Sequence, residues 1–199
     1  MSILRPFLLL TMLLSVVQFG HGQEKDSVIK NIRKLYKRIN TDGALKTVKL
    51  ENEEFLPQIT DGGGSLTGYF KGKQLLKIHV WVGLSYGVRQ FEYYFDDNGY
   101  LCFVYETEED CPDKNNTGSL DYTKLNLAFE GRYYLDRGVE IEMKTNGKRR
   151  FNPPPESVKS LSTDIKSYTN LLTSQLKKNQ SLITNFCQPV TVFHNISDE

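Results

Sequence analysis

Acid–base and nucleophilic catalysis near neutral pH usually needs an imidazole within hydrogen-bond reach of a hydroxyl or thiol, because histidine titrates in that range. The 199-residue chain has three histidines: His21, His79 and His194. His21 closes an apolar N-terminal stretch and His194 lies near the C-terminus, so His79 is the one candidate base. It stands in a strand-like alternation with no nucleophile beside it, where a surface or hydrogen-bonded imidazole is the competing reading. A hydrolase would require folding to bring His79 against a carboxylate such as Glu92.

Metal chemistry finds little support. Soft or borderline ions want His and Cys at short spacing, and the chain has no C-x-x-C or H-x-x-x-H pair. Asp113 to Asp121 matches the early positions of a calcium loop, including the turn glycine Gly118, but Lys124 occupies the position that demands a bidentate Glu. A connecting loop is the expectation, with Glu106, Glu108, Glu109 and Asp110 just upstream read as an acidic, solvated strand end. Glu92, Glu140 and Glu142 offer carboxylates on alternate strand positions, a pattern that exported β proteins produce by chance. Asp61-Gly-Gly-Gly64 lacks the Lys-Ser/Thr of a phosphate loop and reads as a connector. No residue is assigned a catalytic or metal-ligating role, and no cofactor is expected.

What the sequence does offer is a surface. Strict alternation places His79, Trp81, Glu92, Tyr94, Tyr100, Arg132 and Tyr134 together on the sheet face opposite an apolar stripe. Aromatics mixed with charges suit a glycan, a peptide or another protein. Tyr is also favoured on the wet side of any sheet, so the same residues are compatible with no ligand at all.

These residues must be positioned by strands. From Leu45 to Phe151 the apolar period is two: Leu76, Ile78, Val80 and Val82 oppose Lys77, His79 and Trp81, while Phe91, Tyr93 and Phe95 oppose Glu92 and Tyr94. Asn98-Gly99 is a hairpin signal because both residues tolerate positive φ, and Asn146-Gly147 is a further turn signal. Tyr93-Tyr-Phe-Asp is echoed at Tyr133-Tyr-Leu-Asp and more faintly at Tyr69-Phe, which predicts successive hairpins. The uneven spacing rules out a strict repeat array. The unit from Glu92 to Val104, with Arg132 to Gly138, resembles exported bacterial proteins of uncharacterised function that carry EYYFDxxGxL-type hairpins. The likeness spans residues 65–145; it implies export and a β-meander and carries no activity or site residue.

Helices flank this region. Val28, Ile32, Leu35 and Ile39 recur at helical spacing over Ser27–Asn40, with Asp26 or Ser27 as a cap and five basic residues on the wet flanks. After Pro153-Pro-Pro155, Val158, Leu161, Ile165, Tyr168, Leu172 and Leu176 define a second amphipathic helix with Ser157 as its cap. One of its faces is expected to cover the sheet.

Ahead of all this, Arg5 precedes an apolar run from Phe7 to Val17, followed by Gly20 and Gly22 at the positions of a signal-peptidase site. The run is well short of the roughly 20 residues that span a bilayer. The expectation is a leader over 1–22 cleaved before Gln23, a domain over 23–178, a C-terminal tail over 179–199, no membrane span after cleavage and a secreted or periplasmic location. Without Arg5 the acidic and basic residues balance, which gives nucleic-acid binding no support. Cys102, Cys111 and Cys187 leave an odd thiol whatever the pairing, and Asn115, Asn179 and Asn195 each begin an N-x-Ser/Thr triplet.

The expected fold is α+β: an antiparallel β-meander flanked by an N-terminal and a C-terminal amphipathic helix. The expected function is non-enzymatic binding of an unknown envelope or extracellular partner. A hydrolase of envelope polymers using His79, and a purely structural envelope protein, are the alternatives.

Overall fold

The computed structural model describes the backbone of residues 4–114, 118–150 and 158–186, and the side chains of 23–114, 118–150 and 164–181. Helix α1 (Leu4–Thr41) leads into seven strands: β1 (Lys46–Glu51), β2 (Gly64–Lys71), β3 (Gln74–Leu84), β4 (Gly87–Phe95), β5 (Leu101–Asp110), β6 (Asn126–Asp136) and β7 (Val139–Gly147). Helix α2 (Val158–Phe186) follows. The strands form one antiparallel sheet in chain order, β1 to β7, so the fold is the α+β meander that the alternation predicts.

The turns explain the register. Arg137 and Gly138 both have positive φ (49° and 83°) between the paired residues Asp136 and Val139, the signature of a two-residue type I′ turn. At Asn98-Gly99 only Gly99 is positive. There Asp96 accepts from the Gly99 amide (2.9 Å), and its own amide donates to Tyr100 (2.9 Å), giving a type I turn closed by a left-handed glycine. Asn146-Gly147 is no hairpin: both residues belong to β7, whose end approaches the Ala128 carbonyl too closely for any side chain at Gly147.

Both faces of the sheet are covered, and this departs from the expectation of one wet face. On one side Val48, Leu50, Leu66, Ile78, Val80, Tyr93, Val104, Tyr133 and Leu135 meet Ile165, Leu172 and Leu176 of α2. Burying each of the large aliphatic side chains contributes about 1.5–3 kcal/mol. On the other side Leu76, Tyr94, Cys102, Phe103 and Tyr134 meet Ile29, Ile32 and Ile39 of α1. Each Tyr-Tyr doublet therefore sends one ring into each core: Tyr93 and Tyr133 flank Val104 on the α2 side, while Tyr94 and Tyr134 flank Phe103 on the α1 side.

Leu76 changes sides relative to the expected stripe. The register between β2 and β3 shifts at Tyr69/Phe70, with Tyr69 opposite Lys77 and Phe70 opposite Leu75, so Leu76 is the extra residue of a bulge. The helices also differ from expectation. The backbone of α1 runs unbroken from Leu4, so Asp26 and Ser27 lie inside it instead of capping it. The expected leader, residues 1–22, lies outside the described side chains. α2 continues through the segment read as a tail to Phe186, since no glycine or proline interrupts it before Pro189. Its expected cap Ser157, Pro153 to Pro155 and residues 187–199 lie outside the described residues.

Candidate functional site

α1 lies across one end of its sheet face and leaves the other end open. Under the helix, Tyr94 and Tyr134 are buried, so these two are core residues and not part of a wet surface. Beyond the helix, His79, Trp81, Glu92 and Tyr105 are half-buried and Arg132 is exposed. Tyr100 sits apart in the β4–β5 turn, its amide bonded to Asp96 Oδ1 (2.8 Å). Of the seven residues expected on one surface, four share the open end, two are covered and one is at a turn.

A polar knot joins the covered and open parts. Lys77 Nζ donates to Glu92 Oε1 (2.6 Å) and to Asn40 Oδ1 (2.9 Å). The Tyr94 hydroxyl donates to Glu92 Oε2 (2.6 Å) and accepts from Asn40 Nδ2 (2.9 Å). Burial, and then the Glu92 carboxylate, push the Tyr94 phenol well above its ordinary value, so it stays protonated as a donor. Lys77 also lies over the rings of Tyr69 (5.4 Å) and Tyr94 (5.1 Å). The last turn of α1 is thereby fastened to β3 and β4 through one charged pair and one phenol.

His79 and Glu92 are register partners across β3 and β4, which is the proximity a dyad would need. Their side chains are committed elsewhere. The His79 Nε2–H donates to Gln90 Oε1 (3.0 Å), and Gln90 Nε2 in turn approaches Glu109 Oε2 (3.4 Å). Glu92 spends one oxygen on Lys77 and the other on Tyr94.

Where α1 meets the open end, a groove of about 360 Å³ is lined by Ile32, Arg33 and Tyr36 from the helix and by Phe103, Tyr105, Arg132 and Tyr134 from β5 and β6. Its aromatic wall is continuous: Tyr36 meets Phe103 edge-on (5.7 Å between centroids), and Phe103 packs on Tyr134 (5.0 Å). Glu130 Oε1 accepts from both the Tyr105 hydroxyl (2.7 Å) and Arg132 (2.5 Å), fixing these two side chains together. Desolvation and then the Glu130 bond push the Tyr105 phenol up to about 12. A second groove, about 410 Å³, follows the opposite flank of α1, where Arg38 pairs with Asp97 (2.7 Å).

The sequence signalled Arg132 and Tyr134 but not Arg33 or Tyr36, which belong to a helix whose polar residues look like a solvated flank. A second missed cluster lies on the α2 side. Glu106 and Glu108, expected at a solvated strand end, are fully buried. Glu106 is held by Arg89 (2.8 Å) and Arg149 (2.5 Å) and accepts from the Tyr133 hydroxyl (2.8 Å). Glu108 takes Arg89 Nε (3.3 Å) and the Arg150 amide (3.0 Å). Each carboxylate of the cluster has a cationic partner, while Arg89 Nε, Glu108 Oε1 and Arg149 Nε are buried without a hydrogen bond.

The remaining sequence candidates resolve simply. Both Asp113 oxygens accept from the Gly118 amide (3.1 Å each), and Asp121 caps Thr123, so these carboxylates organise their own loop. Cys102 and Cys111 are free and buried. They stand near opposite ends of β5, roughly 30 Å apart at about 3.3 Å per residue, which no disulfide spans. Cys187 lies outside the described residues, as do Asn115 and Asn195; Asn179 lies within α2. Among the described residues no helix is long and apolar enough to cross a membrane, and no three His, Cys, Asp or Glu side chains cluster as metal ligands. No protein-family model, curated protein or solved structure matches the chain.

Proposed function

We propose that this chain is an exported, non-enzymatic domain that binds a partner or ligand in the cell envelope or outside the cell, using the sheet end that α1 leaves open. The observation that carries this reading is the concentration of His79, Trp81, Glu92, Tyr105 and Arg132, only partly buried, beside an aromatic groove. Half-buried aromatics with fixed polar partners present flat area at little entropic cost and are the side chains that dominate recognition surfaces. The leader-like pattern of residues 1–22 supports export.

Two measurements test this. Fractionation followed by N-terminal sequencing of the processed chain is expected to find it outside the cytoplasm, beginning at Gln23. Retrieval from envelope extract is expected to return a molecule captured by the wild type and lost by a Trp81→Ala, Tyr105→Ala, Arg132→Ala variant of unchanged melting temperature. Equal recovery by the two proteins removes the binding surface.

A further inference from the structure

We propose that the groove between α1 and strands β5 and β6 binds a small aromatic carboxylate: a planar apolar body held between rings, its anionic group held by Arg33 and Arg132. This rests on the binding reading above and names the chemistry that the groove selects.

Size comes first. About 360 Å³ falls at the lower end of small-molecule pockets, enough for one or two fused rings and too little for a folded partner. Shape follows from the lining. Phe103 and Tyr134 are buried and form the rigid base of the groove, so the ring surface left for a planar ligand is that of Tyr36 at the mouth and of half-buried Tyr105. Tyr36 is 38% exposed at the mouth, its ring held against Tyr94 (5.1 Å) and Phe103 (5.7 Å), so a ligand that stacks on its outer side meets apolar surface already in place.

Charge decides the rest. The lining has two guanidinium groups and no carboxylate. Arg132 is already neutralised and oriented by Glu130, but Arg33 is different: its guanidinium lies over the Tyr134 ring (5.8 Å), and no carboxylate among the described residues pairs with it. A cationic ligand would meet the like charge of Arg33, which no carboxylate among the described residues offsets. A neutral one would cover Arg33 without replacing its water, whereas a carboxylate supplies the charge-assisted bond that the guanidinium fork is shaped to make. With Arg132 already paired to Glu130 and Arg33 facing no described carboxylate, the groove suits a single anionic group instead of a polyanion.

The test is titration of the purified protein with 1-naphthoate and with 1-naphthamide, which matches it in shape and lacks the charge, followed by isothermal calorimetry and by amide shifts in a labelled sample. Naphthoate is expected to bind with shifts concentrated at Arg33, Tyr36, Tyr105 and Arg132, and naphthamide about tenfold or more weakly. Arg33→Gln, a change on an exposed helix face, is expected to weaken naphthoate about tenfold and to leave naphthamide unchanged. Tyr36→Ala should weaken both. Arg38→Gln, on the other flank of α1, should change neither.

Equal affinity for acid and amide overturns the proposal, as does binding insensitive to Arg33→Gln or binding whose shifts lie elsewhere. If neither compound binds while the Trp81, Tyr105, Arg132 variant still loses a retrieved partner, the ligand class falls and the wider binding reading stands. If neither compound binds and retrieval is equal for both proteins, both fall.

Discussion

Arg149, two residues past the last strand, sets its guanidinium 2.5 Å from the fully buried carboxylate of Glu106. The same group reaches the Tyr133 hydroxyl and lies 4.3 Å from the centre of the Phe129 ring. A carboxylate taken out of water at this depth is stable only while its countercharges stay. Arg149→Met keeps the packing over Phe129 and removes the charge. We expect a loss of about 3 kcal/mol in urea unfolding, near the lower end for breaking a buried pair because Arg89 remains. A loss under about 1 kcal/mol would mean that Arg89 alone neutralises the site.

The knot around Tyr94 predicts a local effect. Tyr94→Phe removes the hydroxyl that links Glu92 to Asn40, leaving the partly buried Glu92 Oε2 acceptor and Asn40 Nδ2 donor short of a partner at a cost of about 1–3 kcal/mol. Amide exchange is expected to quicken over the last turns of α1 and at Lys77 while β6 and β7 stay protected. A uniform rise across the sheet would contradict the local role given to this phenol.

Alkali gives the clearest dependence on pH. Burial pushes the Cys102 thiol up from 9.0 to about 12, and burial likewise holds Tyr105 and Tyr168 near about 12 against an ordinary 10.0. The folded state keeps protons that the unfolded chain releases, so stability is unaffected below about pH 9 and falls as pH climbs from about 9 towards 12. Chemical unfolding at a series of pH values checks the slope. Iodoacetamide at pH 8 should spare Cys102 in the native protein and label it in urea.

Gly68 and Leu172 predict a coupled pair. A Cβ at Gly68 would stand 2.9 Å from Leu172 Cδ1, and Leu172 is itself fully buried. Leu172→Ala alone should cost about 2–5 kcal/mol through the space it vacates. Gly68→Ala should cost less in that background than in the wild type, a non-additivity read from a double-mutant cycle. Strict additivity would show that Phe70, the other close neighbour, absorbs the added methyl.

The meander was legible because the strands carry alternation and most turns a glycine, both local signals, although the β3–β4 turn, Ser85-Tyr86, has none between its strands. Burial of both faces was harder to read. Tyr at 94 and 134 suits either water or core, and only the need of α1 to cover Ile29, Ile32 and Ile39 decides between them. Reading the helix stripe and the doublets together would have found it, since each doublet has an aromatic ring for either side. Glu106 and Glu108 gave no such clue. The arginines that make Glu106 tolerable lie 17 and 43 residues away, distances at which sequence pattern says nothing about contact. The groove was half legible, with Arg132 and Tyr134 at alternate positions of β6 but Arg33 and Tyr36 hidden in the charge pattern of a helix.

Pairing in strict chain order has a consequence for how the molecule is made. A chain growing from its N-terminus can zip each hairpin onto the last without waiting for a distant partner, which favours rapid β assembly. Yet the helix that seals Leu66, Ile78, Val80 and Val104 follows the seven strands, so a chain stopped at Gly147 has the described sheet and an unroofed apolar floor. Such a fragment would be sticky, not merely shortened, until α2 has been made to roof it.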